Sequence, residues 1–125
     1  MTPHTLYVST RNTHKLAELR AMLAVIGPFD LVSAVDAGVP DVEEIGETFL
    51  DNAVLKAAAA FEITGGVCLA DDSGLSVDAL GGAPGVYSAR FSGPGATADS
   101  NNTHLLEALE GVAEDARGAA FVCQL

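Results

Sequence analysis

Two adjacent carboxylates, Asp71 and Asp72, directly follow the apolar run Val67–Ala70. Acidic side chains at the C-terminal end of a buried strand stand where α/β folds place ligands. Such a pair can coordinate Mg²⁺, act as general base towards a water, or bond turn amides together with Ser73 and Gly74. Because adjacent like charges at a buried strand end are unfavourable without a cation, the metal site is the favoured interpretation.

A second polar stretch, residues 9–15 (STRNTHK), lies at a predicted strand-to-helix junction. The first turn of a helix offers unpaired N–H groups and the positive end of the helix dipole, which favour a phosphate there. Thr10 and Asn12 would add polar contacts, and Lys15 would direct a full positive charge to the same point. The Walker A pattern does not occur in this stretch. The alternative is that Asn12 or Thr13 only caps the helix while Lys15 is solvated.

The third stretch, residues 43–57 (EEIGETFLDNAVLKA), joins an acidic connection to a predicted helix. Glu43 and Glu44 precede the helix. Asn52 and Lys56 are four residues apart, so they share one helix face, away from its apolar side. That polar face either lines a cleft or is solvated, and both interpretations stay open. Together, the three stretches supply what metal-assisted phosphate-ester chemistry needs, namely acids for a cation and lysines for transition-state charge.

Strands that alternate with helices must position these stretches, and this alternation predicts an α/β fold with a mixed, twisted sheet flanked by helices. Apolar runs predict strands over residues 5–9, 29–34, 67–70, 75–80 and 119–125. Apolar periodicity predicts helices over residues 13–26, 48–64 and 97–109. At 125 residues the chain suits a single domain, residues 1–125. The apolar end GAAFVCQL predicts either a last strand of a compact fold or a truncated domain.

Composition restricts the class of ligand. Six basic and 17 acidic residues give a net charge of −11, which disfavours a nucleic-acid polymer as partner. No apolar run approaches the ~20 residues of a membrane-spanning helix, and the N-terminus lacks a signal-peptide pattern. Cys68 and Cys123 lie in apolar runs and are predicted to be buried free thiols in a reducing cytoplasm. These features favour a cytoplasmic protein that binds a small anionic ligand.

Residues 10–15 (TRNTHK), 43–57, and 70–93 (ADDSGLSVDALGGAPGVYSARFSG) resemble the inosine triphosphate pyrophosphatases. The resemblance runs from Leu6 to the last residue. It implies Mg²⁺-dependent hydrolysis of the noncanonical purine nucleoside triphosphates ITP, dITP and XTP to the monophosphate and pyrophosphate, which removes them from the nucleotide pool. It also implies a cytoplasmic homodimer and a two-lobed α/β fold, of which this chain resembles the first and central part.

The same resemblance implies roles for individual residues. Asp72 would be the metal-linked general base, with Asp71 supporting it. Glu44 would bind the metal together with Asp72, and Glu43 is the alternative ligand. The implied substrate-binding residues are Thr10, Arg11, Asn12, Thr13, His14, Lys15, Lys56 and Ser73.

The sequence also departs from the resembled family. Its members carry a later FGYD-type turn and a Ser-His-Arg segment that grip the base, and neither occurs in these 125 residues. We therefore expect this chain by itself to bind nucleotides weakly through their phosphates, with low or absent turnover. Two alternative functions are a non-catalytic nucleotide-binding or assembly module and a receiver-type phosphorelay domain. The latter also uses an acidic pair, Mg²⁺ and a lysine, but normally places the acidic pair near its first strand.

Overall fold

The computed structural model describes residues 4–10 and 12–125, which form three α-helices and five β-strands. The strands are β1 (His4–Ser9), β2 (Phe29–Ser33), β3 (Val67–Ala70), β4 (Asp72–Val77) and β5 (Ala119–Gln124), and the helices are α1 (Thr13–Ile26), α2 (Phe49–Thr64) and α3 (Ala98–Ala108). The predicted α/β class is confirmed. Among the described residues, no helix is long and apolar enough to cross a membrane.

The described residues divide into two compact units. The first unit holds the residues up to Gly46, Leu50–Asp71 and Leu125, and the second holds Glu47–Phe49 and Asp72–Gln124. The assignment of residues 1–125 to a single domain stays a prediction.

A parallel sheet in the order β2-β1-β3 forms the centre of the first unit. In the central strand, Leu6 pairs with Leu31 of β2 on one side and with Val67 of β3 on the other. Parallel neighbours need a crossover connection, which α1 supplies between β1 and β2. Ser9 pairs with Ala70, so β1 and β3 end at the same edge of the sheet. The residues that follow these two strands therefore start from one edge.

Small apolar side chains hold α2 in the first unit. Ala34 and Val39, which follow β2, pack with Ala60 of α2, and Ala37 and Cys68 lie against them. Each of the first three side chains is less than a tenth exposed. This packing fixes the helix that carries the predicted polar face.

The second unit is built on an antiparallel pair, in which β4 runs beside β5 from Asp72 opposite Gln124 to Val77 opposite Ala119. A 3₁₀ segment over Gly85–Arg90 follows in the chain and precedes α3. The helix predicted over residues 97–109 is confirmed by α3.

Gly74 of β4 lies where a side chain would not fit. A Cβ atom at this position would lie 2.6 Å from Ser88 Oγ and closer still to the carbonyl oxygen of Gly85. Ser88 Oγ accepts the N–H of Leu75 at 2.9 Å and donates to Gly85 O at 2.6 Å. The glycine of the ADDSG motif therefore allows the 3₁₀ segment to pack on β4.

The strand predicted over residues 75–80 is wrong at both ends. The observed strand, β4, begins at Asp72 and ends at Val77. The chain turns there, because the N–H of Gly82 bonds to the carbonyl oxygen of Val77 at 2.9 Å. Gly81 has a φ of 64°, a left-handed conformation that favours glycine. Leu80 therefore lies in a short 3₁₀ turn, Asp78–Leu80.

The prediction of buried thiols is wrong for Cys123. Both cysteines are free thiols, but Cys68 is partly buried and Cys123 is exposed. Cys123 lies on a two-stranded ribbon, two residues from Phe121, which is 88% exposed. Residues two apart in a strand share a face, so this face of the ribbon is exposed at both positions.

Candidate functional site

The N-terminus of α1 forms the first part of the site. Asn12 caps the helix: its Oδ1 accepts the N–H groups of His14 at 3.0 Å and Lys15 at 3.2 Å. Thr10 Oγ1 in turn accepts the N–H of Asn12 at 3.2 Å. The predicted capping role of Asn12 is confirmed, and it orders the turn from which the Lys15 side chain extends.

Lys15 is not simply solvated, because its Nζ lies 2.5 Å from Asp71 Oδ2. The Lys15 side chain is 32% exposed and the Asp71 side chain only 9%. Asp71 directly follows β3, and α1 follows β1, so the parallel pairing of these two strands brings the charges together. An ion pair of this kind places a half-buried ammonium group at the carboxyl edge of the sheet.

Lys56 of α2 joins this pair to the acidic connection. Its Nζ lies 2.8 Å from Glu44 Oε1 and donates to the backbone carbonyl oxygen of Asp71 at 2.7 Å. The Lys56 side chain is 19% exposed, so the solvated-face alternative for the predicted polar face is wrong. We call Lys15, Lys56, Glu44 and Asp71 the charged cluster.

An open cavity of about 120 Å³ adjoins the charged cluster within the first unit. Glu44 and Lys56 line it together with Thr10. Its remaining lining residues are Ser9, Ala34, Val35, Val39, Pro40, Asp41 and Val42. The cavity thus combines an apolar wall with hydroxyl, carboxylate and ammonium groups, which suits a small polar ligand.

Other predicted site residues lie outside the charged cluster. Thr13 and His14 are exposed in the first turn of α1, and Glu43 is exposed in the acidic connection. Asp72 and Ser73 are the first two residues of β4 in the second unit, where Asp72 is 5% exposed and Ser73 is partly buried. Arg11, predicted to bind substrate, lies outside the described residues.

The charged cluster offers oxygen ligands of the type that Mg²⁺ prefers. Glu44 and Asp71 are carboxylates, and a Mg²⁺ site often uses one or two carboxylates and completes its shell with substrate phosphates and water. In the part of the chain that the structure describes, no group of three or more His, Cys, Asp or Glu residues could by itself hold a metal. Carboxylates of this kind fit a metal ion that is shared with a phosphate ligand.

Ser9, Asp41 and Asn52 belong to this region but were not among the predicted site residues. Ser9 and Asp41 line the cavity, and the Asn52 side chain is fully buried on α2. Of these three residues, only Asn52 could have been placed in the site from the sequence, since it stands one helical turn before Lys56. Ser9 and Asp41 stand in a strand end and an irregular connection, where spacing does not identify a face.

Comparison with known proteins identifies relatives over nearly the whole chain. A dITP/XTP pyrophosphatase of Shigella flexneri is 51% identical over 118 residues, which are 94% of this chain and 59% of that protein. A dITP/XTP pyrophosphatase of Geobacter sulfurreducens is 53% identical over 121 residues, 96% of this chain and 60% of that protein. This chain therefore spans about three fifths of the length of these relatives.

The comparison with solved structures agrees with the comparison of sequences. The structure of a HAM1 protein from Coxiella burnetii superimposes with a TM-score of 0.88 at 40% identity, covering 96% of this chain and 60% of that one. A Ham1 protein from Staphylococcus aureus gives a TM-score of 0.81 at 34% identity. The sequence model of the Ham1 family matches residues 6–125. This chain, with its charged cluster at the carboxyl edge of a parallel sheet, belongs to the Ham1 family.

Proposed function

We propose that the protein hydrolyses ITP, dITP and XTP to the nucleoside monophosphate and pyrophosphate in a Mg²⁺-dependent reaction. The observation that carries this proposal is the charged cluster, in which two lysines and two carboxylates meet beside a cavity. Relatives about half identical to this chain are dITP/XTP pyrophosphatases, which supports these substrates. A triphosphate needs cations for its charge, which Lys15 and Lys56 supply, and a divalent metal needs carboxylate ligands, of which Glu44 belongs to the charged cluster.

The lysines are proposed to bind the triphosphate. Lys15 and Lys56 supply ammonium groups that can bond to phosphate oxygens, because both are partly exposed and both already bond to anionic or carbonyl oxygen. Thr10 and Asn12 hold the first turn of α1, whose N-terminus favours a phosphate. Arg11, Thr13, His14 and Ser73 remain predicted further contacts to the substrate.

Glu44 of the charged cluster and Asp72, which lies outside the cluster, are proposed to bind Mg²⁺. Glu44 is favoured over Glu43 because Glu44 lines the cavity and pairs with Lys56, whereas Glu43 is exposed. When bound by these residues, Mg²⁺ would neutralise phosphate oxygens and lower the cost of the charge that develops in the transition state. Asp71 supports the site by holding the Lys15 ammonium group.

Asp72 is proposed as the general base. Its carboxylate would take a proton from a water molecule whose oxygen attacks the α-phosphorus. A bond forms between that oxygen and the α-phosphorus, and the bond from the α-phosphorus to the oxygen that bridges to the β-phosphorus breaks. Pyrophosphate leaves with the bridging oxygen, and the nucleoside monophosphate remains.

We further propose that the protein works in the cytoplasm as a homodimer. Both features follow from the family resemblance. Sedimentation of the purified chain at micromolar concentration tests the dimer: twice the mass of one chain supports it, and a single chain mass contradicts it.

Two proteins test the reaction. The first is the 125-residue chain, and the second is a hybrid in which residues 6–125 replace the matching residues of the Geobacter sulfurreducens relative. With Mg²⁺, the hybrid should release pyrophosphate and monophosphate from dITP and XTP, and chelation of Mg²⁺ should stop the release. The unaltered relative is the matched control. Orthophosphate and a diphosphate as first products would contradict the cleaved bond, and an inactive hybrid beside an active relative would favour the non-catalytic module.

A further inference from the structure

Asn52 is a fully buried polar side chain in the first unit, at 0% exposure. It is the fourth residue of α2, and its Oδ1 accepts the N–H of Gly46 at 2.7 Å. Gly46 stands two residues after Glu44 in the connection that leads from β2 to α2. A buried amide thus holds the backbone of the segment that carries the proposed metal ligand.

The approach between Gly46 and α2 is very close. A Cβ atom at Gly46 would lie 2.6 Å from Asn52 Oδ1 and 2.6 Å from the Cβ of Asp51. Real Cβ atoms do not come this near to other heavy atoms, so any larger residue would push the segment away from the helix. The contact depends on both partners: an acceptor on Asn52 and an absent side chain at Gly46.

One helical turn later, α2 holds the same segment a second time. Lys56 Nζ lies 2.8 Å from Glu44 Oε1. Asn52 and Lys56 stand four residues apart and therefore on one helix face. The helix thus bonds to the segment at its backbone and at its carboxylate. Within the segment itself, the N–H of Ile45 bonds to the carbonyl oxygen of Glu43 at 3.1 Å.

We propose that Asn52 is a positioning residue that sets the Glu44 carboxylate for Mg²⁺ bound together with a polyphosphate. It acts through Gly46 and does not itself touch metal or phosphate. This inference rests on the proposed function, because it needs Glu44 to be a metal ligand. Removing a hydrogen-bond partner behind a metal ligand typically lowers metal affinity about 10–100-fold, so the expected effect is measurable.

The test uses the 125-residue chain with pyrophosphate as the probe, titrated by calorimetry with and without Mg²⁺. Asn52→Ala should lower the Mg²⁺-dependent gain in pyrophosphate affinity by about 10–100-fold. The affinity measured without Mg²⁺ should stay within about twofold, because Lys15 and Lys56 remain. Exchange of the Gly46 amide proton, followed by NMR, should become fast in the variant. This last readout does not depend on any activity.

A second variant approaches the contact from the other side. Gly46→Ala should reduce the same Mg²⁺-dependent gain while leaving Asn52 intact. Gly27→Ala is the matched control, since the nearest atom to a Cβ at Gly27 is Phe29 Cε2 at 3.9 Å and this glycine has an extended φ of 172°. It should change neither affinity.

The outcomes separate the two proposals. If the unaltered chain shows no Mg²⁺-dependent gain, the metal site and the positioning role both fail. A gain that persists in folded Asn52→Ala overturns only the positioning role. An equal loss with and without Mg²⁺ also overturns it, because that pattern indicates a structural contact. If neither Asn52→Ala nor Gly46→Ala folds, Asn52 serves folding and the positioning role is rejected.

Discussion

The two units of the molecule use polar side chains in different ways. In the first unit, the charged cluster joins opposite charges: Lys15 pairs with Asp71, and Lys56 pairs with Glu44. In the second unit, Asn101 of α3 is the centre of a neutral network. Its Oδ1 accepts from the N–H and the hydroxyl of Ser92, and its Nδ2 donates to two carbonyl oxygens of the 3₁₀ segment.

This difference separates groups that can exchange partners from groups that hold the chain. A partly exposed ammonium group that bonds to a carboxylate can bond instead to a phosphate of similar charge and geometry. The amide of Asn101 bonds mainly to backbone groups, which would lose their partners if it moved. The first arrangement suits ligand binding, and the second suits a fixed turn. Mutations in the two units should therefore affect different measurements.

The largest expected effect comes from Asp72, which does not follow this contrast between the two units. Asp72 carries a carboxyl group and is almost fully buried, yet it belongs to the second unit. Asp72→Asn in the hybrid protein should lower kcat for dITP about 10²–10⁴-fold, since it removes the proposed general base and the negative charge of a proposed metal ligand while keeping the shape. KM should change much less. Near-normal turnover would show that this carboxylate only bonds to turn amides, and would restore the simple contrast between the units.

The next effect tests the exchange of partners in the charged cluster. Lys15→Met should weaken pyrophosphate binding to the 125-residue chain about 10–100-fold, because a hydrogen bond to a charged group contributes about 1.5–3 kcal/mol. Arg117→Met is the matched control. It removes the same unit charge, but Arg117 in the second unit donates to the carbonyl oxygens of Val112 and Leu109. Calorimetry should detect a loss of pyrophosphate affinity for Lys15→Met but not for Arg117→Met. Equal losses in the two variants would show that net charge alone accounts for the effect.

The neutral network should show the opposite pattern. Asn101→Ala leaves the Ser92 N–H and two carbonyl oxygens without their partner, at a cost of about 1–3 kcal/mol in the free energy of unfolding. Pyrophosphate affinity of the folded variant should stay within about twofold, because none of these groups belongs to the charged cluster. Urea unfolding and calorimetry together test this. A variant with normal stability but lost binding would break the comparison.

Parts of the fold and site with a local signal could be predicted from the sequence. The cap at Asn12, the end of β3 before Asp71 and the acidic connection at Glu44 each depend on residues close in the chain. The pairing of Lys15 with Asp71 could not be predicted in this way. These residues are 56 positions apart, and they meet only because β1 and β3 are neighbours in the sheet.

The prediction of where β4 begins was wrong for a related reason. Asp72 and Gly74 are poor strand formers, so the alternating pattern begins only at Leu75. Tertiary pairing with β5, which comes more than 40 residues later, extends the strand back to Asp72. Asn52 shows the same limit within a helix. Spacing identified its face, but the segment that buries this face belongs to an irregular connection without periodicity.

The smallest effect compares the two helix caps, one in each unit. Asn12 caps α1 through two N–H groups, and Thr97 caps α3 by a reciprocal capping box with Ser100. Asn12→Ala and Thr97→Ala should each lower the free energy of unfolding by about 1 kcal/mol. Only Asn12→Ala should also weaken pyrophosphate binding, by a few-fold, because it loosens the turn that carries Lys15.

Aspartate at the same positions sharpens this last comparison. Asn12→Asp and Thr97→Asp both keep a cap oxygen, so stability should stay close to that of the unaltered chain. The new negative charge at residue 12 lies beside the proposed phosphate site, whereas the charge at residue 97 lies at α3 in the second unit. Pyrophosphate binding should therefore weaken for Asn12→Asp, and more so at low ionic strength, because salt screens the repulsion. If Asn12→Asp binds pyrophosphate as well as Thr97→Asp does, the phosphate does not bind at the N-terminus of α1.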